Sequence, residues 1–166
     1  MNNPKKQKSI SRYVKLEDYK VFDYEIPEIF LDFVIKKNAV YVTTKLTLVK
    51  RNKNTKNLIL DGRDISIKKI FIDDSLLGKE FYKQQKNNLK IENINKDNFL
   101  LKIEGIIKPK ENTTLLGMYE SNGIITTQCE AEGFRRISFL DYLTSELLCK
   151  DAQSKKPKEY FKICKT

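Results

Sequence analysis

The sequence has 166 residues, with no His, no Trp, three Cys, four Pro and six Gly. Without His, no Ser-His-Asp or Cys-His catalysis can arise within the chain, nor a His-Glu-x-x-His zinc site. Cys129, Cys149 and Cys164 are odd in number and have no Cys-x-x-Cys spacing. They read as reduced thiols of a cytoplasmic protein rather than as a disulfide frame. No apolar run approaches the ~18 residues of a membrane span. The first residues carry charge but no apolar h-region, so they do not form a signal peptide. These absences predict a cytoplasmic chain with no membrane partner and no metal of its own.

Charge of one sign is the most visible surplus. Thirty-two Lys and Arg face 22 Asp and Glu, a formal net charge of +10. The excess sits at the two ends. Residues 1–15 carry Lys5, Lys6, Lys8, Arg12 and Lys15 with no acid, and residues 142–166 carry six Lys against three acids. Residues 16–141 keep only +2 of the total. A nucleic-acid protein would concentrate its charge on a folded face, and Lys predominates over the Arg suited to bidentate phosphate or guanine contacts. The expected organisation is a basic flexible arm over 1–15, one domain over 16–141 and a Lys-rich tail over 142–166, with no nucleic-acid partner.

Forty per cent of the residues are hydrophobic, enough for one core. Their spacing in the middle of the chain is period two. Ile29, Leu31, Phe33 and Ile35 form one alternating run, and Val40, Val42, Leu46 and Leu48 another, with Lys37-Asn38 as the turn between them. Shorter runs follow at Asn57–Leu60, Ile65–Ile72, Leu89–Ile91, Asn98–Ile107, Leu115–Glu120 and Ile124–Cys129. A phase change at Lys68-Lys69 predicts a bulge or a bend; Asp61-Gly62, Asp73-Asp74 and Ser121-Asn122-Gly123 predict turns. Short strands at this spacing predict an all-β fold, an antiparallel saddle-shaped sheet or β-sandwich. Only Leu140, Leu143, Leu147 and Leu148 suggest a helix, so the tail is expected to be short and irregular or helical.

The stretch that carries chemistry is Gln128-Cys129-Glu130-Ala131-Glu132-Gly133-Phe134-Arg135-Arg136. In an extended segment, residues two apart share a face. Gln128, Glu130 and Glu132 would line one side, while the small Cys129 and Ala131 pack on the other. Two carboxylates and an amide on one face make a poor core and a reasonable cation site. The plainer reading is a solvated strand end, with Glu132 ion-paired to Arg135 or Arg136 at little gain in stability. Cys129 has no His to activate it and is expected to pack.

Gln128–Arg135 resembles the signature near the end of the N-terminal domain of zinc alanyl aminopeptidases, the aminopeptidase N family. Asn112-Thr113-Thr114-Leu115-Leu116-Gly117-Met118-Tyr119 resembles that family's Asn-Thr-x-Leu-x-Gly-Leu-Tyr stretch. Leu16-Glu17-Asp18-Tyr19 is similar to its Leu-x-Asp-Tyr opening, and Leu60-Asp61-Gly62 to its Leu-x-Leu-[Asp/Asn]-Gly turn. The resemblance runs from about Leu16 to Asp141 and implies a β-saddle or sandwich. It also implies that the glutamate matching Glu130 reaches the active site of a following domain and binds the free α-amino group of a peptide. The glutamine matching Gln128 would lie beside the first side-chain pocket. A partly desolvated carboxylate forms a strong charge-assisted hydrogen bond with an ammonium group, and that contact limits cleavage to one residue. Glu132, Arg135 and Arg136 are expected to pair structurally.

The family's zinc and its general base lie in a thermolysin-like domain with a Gly-x-Met-Glu-Asn loop and a His-Glu-x-x-His helix. None of these is in this sequence. The chain is therefore expected to hold no cofactor of its own, zinc belonging to the full-length family, and to be inactive alone. After Phe139-Leu140-Asp141 no likeness survives, as a truncated or shifted reading frame would produce; a genuine short paralogue is the alternative. Either way the domain's last strands would be missing, leaving open sheet edges. A non-catalytic β-sandwich binding module is the competing function.

Overall fold

A computed structural model describes residues 20–130, 133–141 and 161–165. The expected alternation builds one large sheet. β1 (Tyr24–Ile35), β2 (Val40–Lys50), β8 (Asn98–Ile107), β4 (Ser66–Ile72) and β5 (Ser75–Leu76) lie side by side in that order, all antiparallel. β11 (Phe161–Lys165) adds a sixth, parallel strand beside β1. β3 (Leu58–Asp61), β7 (Asn88–Ile91) and β6 (Tyr82–Gln84) form a three-stranded sheet, and β9 (Gly117–Ser121) pairs with β10 (Ile124–Gln128). No α-helix occurs among the described residues. The fold is all-β and does not close into a barrel.

The side-chain period sets the core. Leu31 and Phe33 on β1, Val42, Leu46 and Leu48 on β2, and Phe99, Leu101 and Ile103 on β8 point to one face and are buried. Leu58, Leu60, Leu89 and Ile91 from the three-stranded sheet join the same cluster. Each fully buried aliphatic side chain stabilises the fold by about 1.5–3 kcal/mol relative to exposure. The opposite face carries Phe30, Lys45, Phe71 and Lys102, with the Lys102 ammonium 3.9 Å from the centre of the Phe71 ring. Lys50 ends β2 on the buried side and stays satisfied by donating from Nζ to the Ile94 carbonyl at 2.9 Å. Long side chains solve the problem of a buried charge this way.

Two local signals in the sequence match the structure closely. The register between β4 and β8 shifts between Ile67 and Lys69, which is the bulge expected at Lys68-Lys69. Asp73 and Asp74 take positive φ, 47° and 63°, between the paired residues Ile72 and Ser75. Two such residues make the two-residue turn whose twist suits a hairpin.

Three expectations change. Leu115 and Leu116 are not in a strand: β9 begins at Gly117, and the two leucines belong to an exposed loop. Of the tail, only residues 161–165 are described, and they form a strand rather than a helix or irregular chain. That strand also covers the outer edge of β1, where an open edge is expected from the sequence. The Leu143–Leu148 pattern and the basic arm over 1–15 lie outside the described residues, as do Leu16–Tyr19.

Candidate functional site

The β9–β10 hairpin positions the signature. Ser121 pairs with Ile124 across Asn122-Gly123, whose φ values are 50° and 79°. Asn and Gly tolerate that left-handed geometry, so the turn is set locally. At the other end of the hairpin Gln128, the last residue of β10, pairs with Gly117. The chain then turns back: the Gly133 N–H donates to the Cys129 carbonyl at 3.2 Å. Residues Gly133–Arg136 form one 3-10 turn.

Two glycines make that crossing possible. A Cβ on Gly133 would collide with the Gln128 carbonyl oxygen and stand 3.3 Å from the Gly117 nitrogen. A Cβ on Gly117 would meet the Arg136 Cβ at 2.5 Å, and Gly117 also has φ of 79°. Strand end and 3-10 turn thus pack backbone against backbone.

The segment after the turn is buried and tied down. Phe134, Ile137, Phe139 and Leu140 are core residues. Asp61 and Leu140 exchange both backbone hydrogen bonds, at 2.7 and 3.0 Å, and the Arg63 N–H donates to the Arg135 carbonyl at 2.8 Å. Gly62, expected as a turn residue, instead leaves room for the Phe139 ring, which a Cβ there would strike. Thr44 and Ser138 share a buried hydroxyl hydrogen bond of 2.7 Å that links β2 to this segment.

Arg136 does not pair on the surface. Its side chain is 7% exposed and donates from Nη1 to Asp64 Oδ2, whose own side chain is 63% exposed. The expected structural ion pairing of Arg136 is present, with Asp64 as partner. Glu132 and Ala131 lie outside the described residues.

Gln128 and Glu130 are both exposed at the same end of the hairpin, and Cys129 between them is half-buried against the core. The strand stops at Gln128, so Glu130 stands in the turn that follows rather than on a continuing β-face. On its described sides Glu130 is flanked by β10 and by the buried segment that begins at Gly133. Beside it, Asn112 orders the preceding loop. Its amide donates to the carbonyls of Leu116 and Met118 at 2.8 and 2.9 Å, and its Oδ1 accepts from the Thr114 N–H and hydroxyl at 3.0 and 2.7 Å. This holds Leu115 at φ of 56° with its side chain 60% exposed. Asp64 is not singled out by the sequence, and Asn112, Leu115 and Leu116 enter it only through the family-like stretch and a strand run. Asn112-Thr113-Thr114 carries a signal for Asn112, since Asn side chains readily capture backbone N–H groups two residues on.

Neither Gln128 nor Glu130 lines the cleft of about 700 Å³ that runs between Asp64, Gln84, Lys86, Lys108, Thr113 and Arg136. Glu130 faces open solvent, where a carboxylate–ammonium contact is worth only about 0–1 kcal/mol. Among the described residues no group of three or more His, Cys, Asp or Glu side chains could hold a metal ion. The donor set does not fit a zinc centre, and no step of hydrolysis follows from these residues.

No family model matches the chain. It is 35% identical over 122 residues to the aminopeptidase N of Escherichia coli K12, covering 74% of this chain and 14% of that protein. It is 34% identical over 128 residues to the Haemophilus influenzae aminopeptidase N, covering 75% and 14%. The chain therefore spans about one seventh of the curated relatives it matches. Among solved structures, Legionella pneumophila aminopeptidase A in complex with aspartic acid superposes with a TM-score of 0.69 at 32% identity, over 76% of this chain and 15% of the other. An M1 zinc metallopeptidase of Deinococcus radiodurans, bound to a Tyr-Ser-Ala substrate, has a TM-score of 0.57 over 72% and 29%. At 11% identity that likeness shows the fold alone.

Proposed function

Because the chain carries the signature and fold of an N-terminal domain of the aminopeptidase N family, we propose that it is the substrate-anchoring domain of a zinc aminopeptidase that removes N-terminal residues from peptides. Glu130 binds the free α-amino group, and Gln128 flanks the first side-chain pocket. The observation that carries this reading is an exposed carboxylate within the signature. Glu130 follows the last residue of β10, and the Gly133 N–H donates back to the Cys129 carbonyl beside it.

The same geometry says what the domain needs. An exposed carboxylate binds an ammonium group weakly because water competes for both charges. Covering the site with a second protein surface lowers the local dielectric and raises the same contact several-fold. Zinc and general base must come from that second surface, since this chain has no His. Peptide recognition is thus divided: this domain fixes the chain end, and the catalytic domain acts at a set distance from it. A cytoplasmic setting is part of the proposal and rests on an odd number of cysteines with no Cys-x-x-Cys spacing.

The test is a graft. Residues 16–141 replace the corresponding one seventh of the Escherichia coli enzyme, and hydrolysis of an alanyl anilide is measured. Restored hydrolysis, against none for the enzyme lacking that region, supports the reading. A folded, zinc-loaded graft with no hydrolysis would refute it.

A further inference from the structure

The cleft lined by Arg136 has a charge pattern that peptide-end binding leaves unused. Its volume of about 700 Å³ lies within the ~300–1,000 Å³ of ordinary ligand pockets, and Gln128 and Glu130 do not line it. Ile65 and Ile107 are buried and give it an aliphatic floor. Its walls are braced by the fold. The Gln84 amide donates from Nε2 to the Ile65 carbonyl at 2.5 Å, which ties the β6–β7 hairpin to the residue before β4. Asn112 holds the wall of Thr113 and Thr114 by accepting from the Thr114 N–H and hydroxyl. Arg136 is set against Gly117, where a Cβ would strike its own Cβ.

Cations and acids are placed unequally around this space. Arg136 lines it from the interior, with its side chain almost fully buried. A guanidinium carries five N–H donors, and Asp64 accepts from the one at Nη1. Lys108 also lines the cleft and pairs with Glu111 at 2.9 Å. Asp64 and Glu111 are the carboxylates of the lining; both are engaged, and both are exposed. Lys86, in the β6–β7 hairpin, forms no salt bridge among the described residues. A cation entering here meets acids that are already neutralised. An anion meets a buried guanidinium and an uncommitted ammonium. Over an aliphatic floor water screens that attraction less than at a surface lysine. Ser66 and Thr113 add hydroxyls that can donate to further oxygens.

We propose that this cleft is an oxyanion site, which takes a carboxylate or a phosphate group on Arg136 with Lys86 and Lys108 adding charge from the other walls. Arg136 supplies the planar fork that matches two oxygens at once, and Lys86 supplies the charge that no acid of the lining neutralises. The site stands whether or not Glu130 holds an amino group.

Titration of the full chain by NMR tests this, with inorganic phosphate in one series and glutarate in another, at fixed ionic strength. The backbone signals of Lys86, Thr113 and Arg136 should shift and saturate with a Kd of about 1 mM or below. The signal of Lys36, an exposed lysine outside the lining, should stay still. Saturation by either anion supports the site, and the tighter of the two identifies its source as phosphate or carboxylate. Shifts that stay linear with both anions, or that appear equally at Lys36, would overturn it. Lys86→Ala should weaken binding about two- to fivefold with Tm unchanged, since Lys86 is exposed. Arg136→Lys keeps the charge and loses the fork, and should weaken binding about tenfold or more. Lys36→Ala should leave it as it is. A folded Lys86→Ala chain that binds both anions as tightly as the parent would overturn the assignment.

Discussion

Replacing Gly133 by Ala adds one methyl group at the point where the strand end and the 3-10 turn cross. That methyl has nowhere to go. It meets the Gln128 carbonyl oxygen and the Gly117 nitrogen, both backbone atoms, and no flexible side chain is there to yield. Overpacking of this kind costs about 1–3 kcal/mol. A chain of this size loses ~2–4 °C of Tm per kcal/mol, so a fall of roughly 2–12 °C is expected. Gly123 supplies the control. It has φ of 79°, but a Cβ there would meet nothing within 4 Å. Gly123→Ala should cost only the left-handed backbone, about 1–2 kcal/mol, and Gly123→Asn less, since Asn tolerates that region. Gly133→Asn should be as harmful as Gly133→Ala or worse. Thermal unfolding followed by circular dichroism separates the two causes. A Gly133→Ala chain that melts within about 1 °C of the parent, against the several degrees expected from overpacking, would refute the close crossing of Gly133 on Gln128 and Gly117.

Breaking the Arg136–Asp64 pair should be asymmetric, because Arg136 is 7% exposed and Asp64 63%. Urea unfolding should show Asp64→Ala costing more than an ordinary surface change, roughly 1–3 kcal/mol, since it strands a buried guanidinium; a cost below about 0.5 kcal/mol would contradict the pairing. Asn112→Ala removes four hydrogen bonds that hold the 112–118 loop. At about 0.5–1.5 kcal/mol each, less what water recovers, a loss of roughly 1–3 kcal/mol is expected, with faster hydrogen exchange confined to that loop. Tyr24 is buried, and burial, reinforced by the charge of Asp23, raises its hydroxyl pKa to about 12. The folded state therefore keeps the proton that the unfolded state gives up near pH 10. The neutral Tyr24 contributes its stability fully below pH 10 and loses it as pH rises towards about 12. Tyr24→Phe should flatten the alkaline fall in stability over that window, and an unchanged slope would count against the burial of the hydroxyl.

The strands that can be read in advance are those with enough length for a period. β1, β2 and β8 bury alternate residues over most of their length, so the two faces separate in the sequence itself. The turn at Asp73-Asp74 and the bulge at Lys68-Lys69 are legible because they interrupt such a run. β5 and β6, of two and three residues, carry no alternation to detect. Leu115 and Leu116 continue the apolar pattern of β9 and still leave the strand, because side-chain hydrogen bonds from Asn112 compete locally with the ladder. Gly62 and Arg136 show a different limit. Each takes its role from a residue distant in sequence, Phe139 and Asp64, and no local spacing announces either contact. Glu130 is found by its motif, but its place in a turn rather than on a β-face follows from the crossing of two glycines.

The most direct test of Glu130 as the anchor for a peptide's free amino group is kcat/KM of the grafted enzyme with Glu130→Gln. The change keeps the shape and removes the charge. A charge-assisted hydrogen bond contributes about 1.5–3 kcal/mol, so kcat/KM for alanyl substrates should fall roughly 10- to 150-fold. Zinc content and the folded spectrum should stay unchanged. A Glu130→Gln graft that hydrolyses alanyl substrates as fast as its parent would contradict that role.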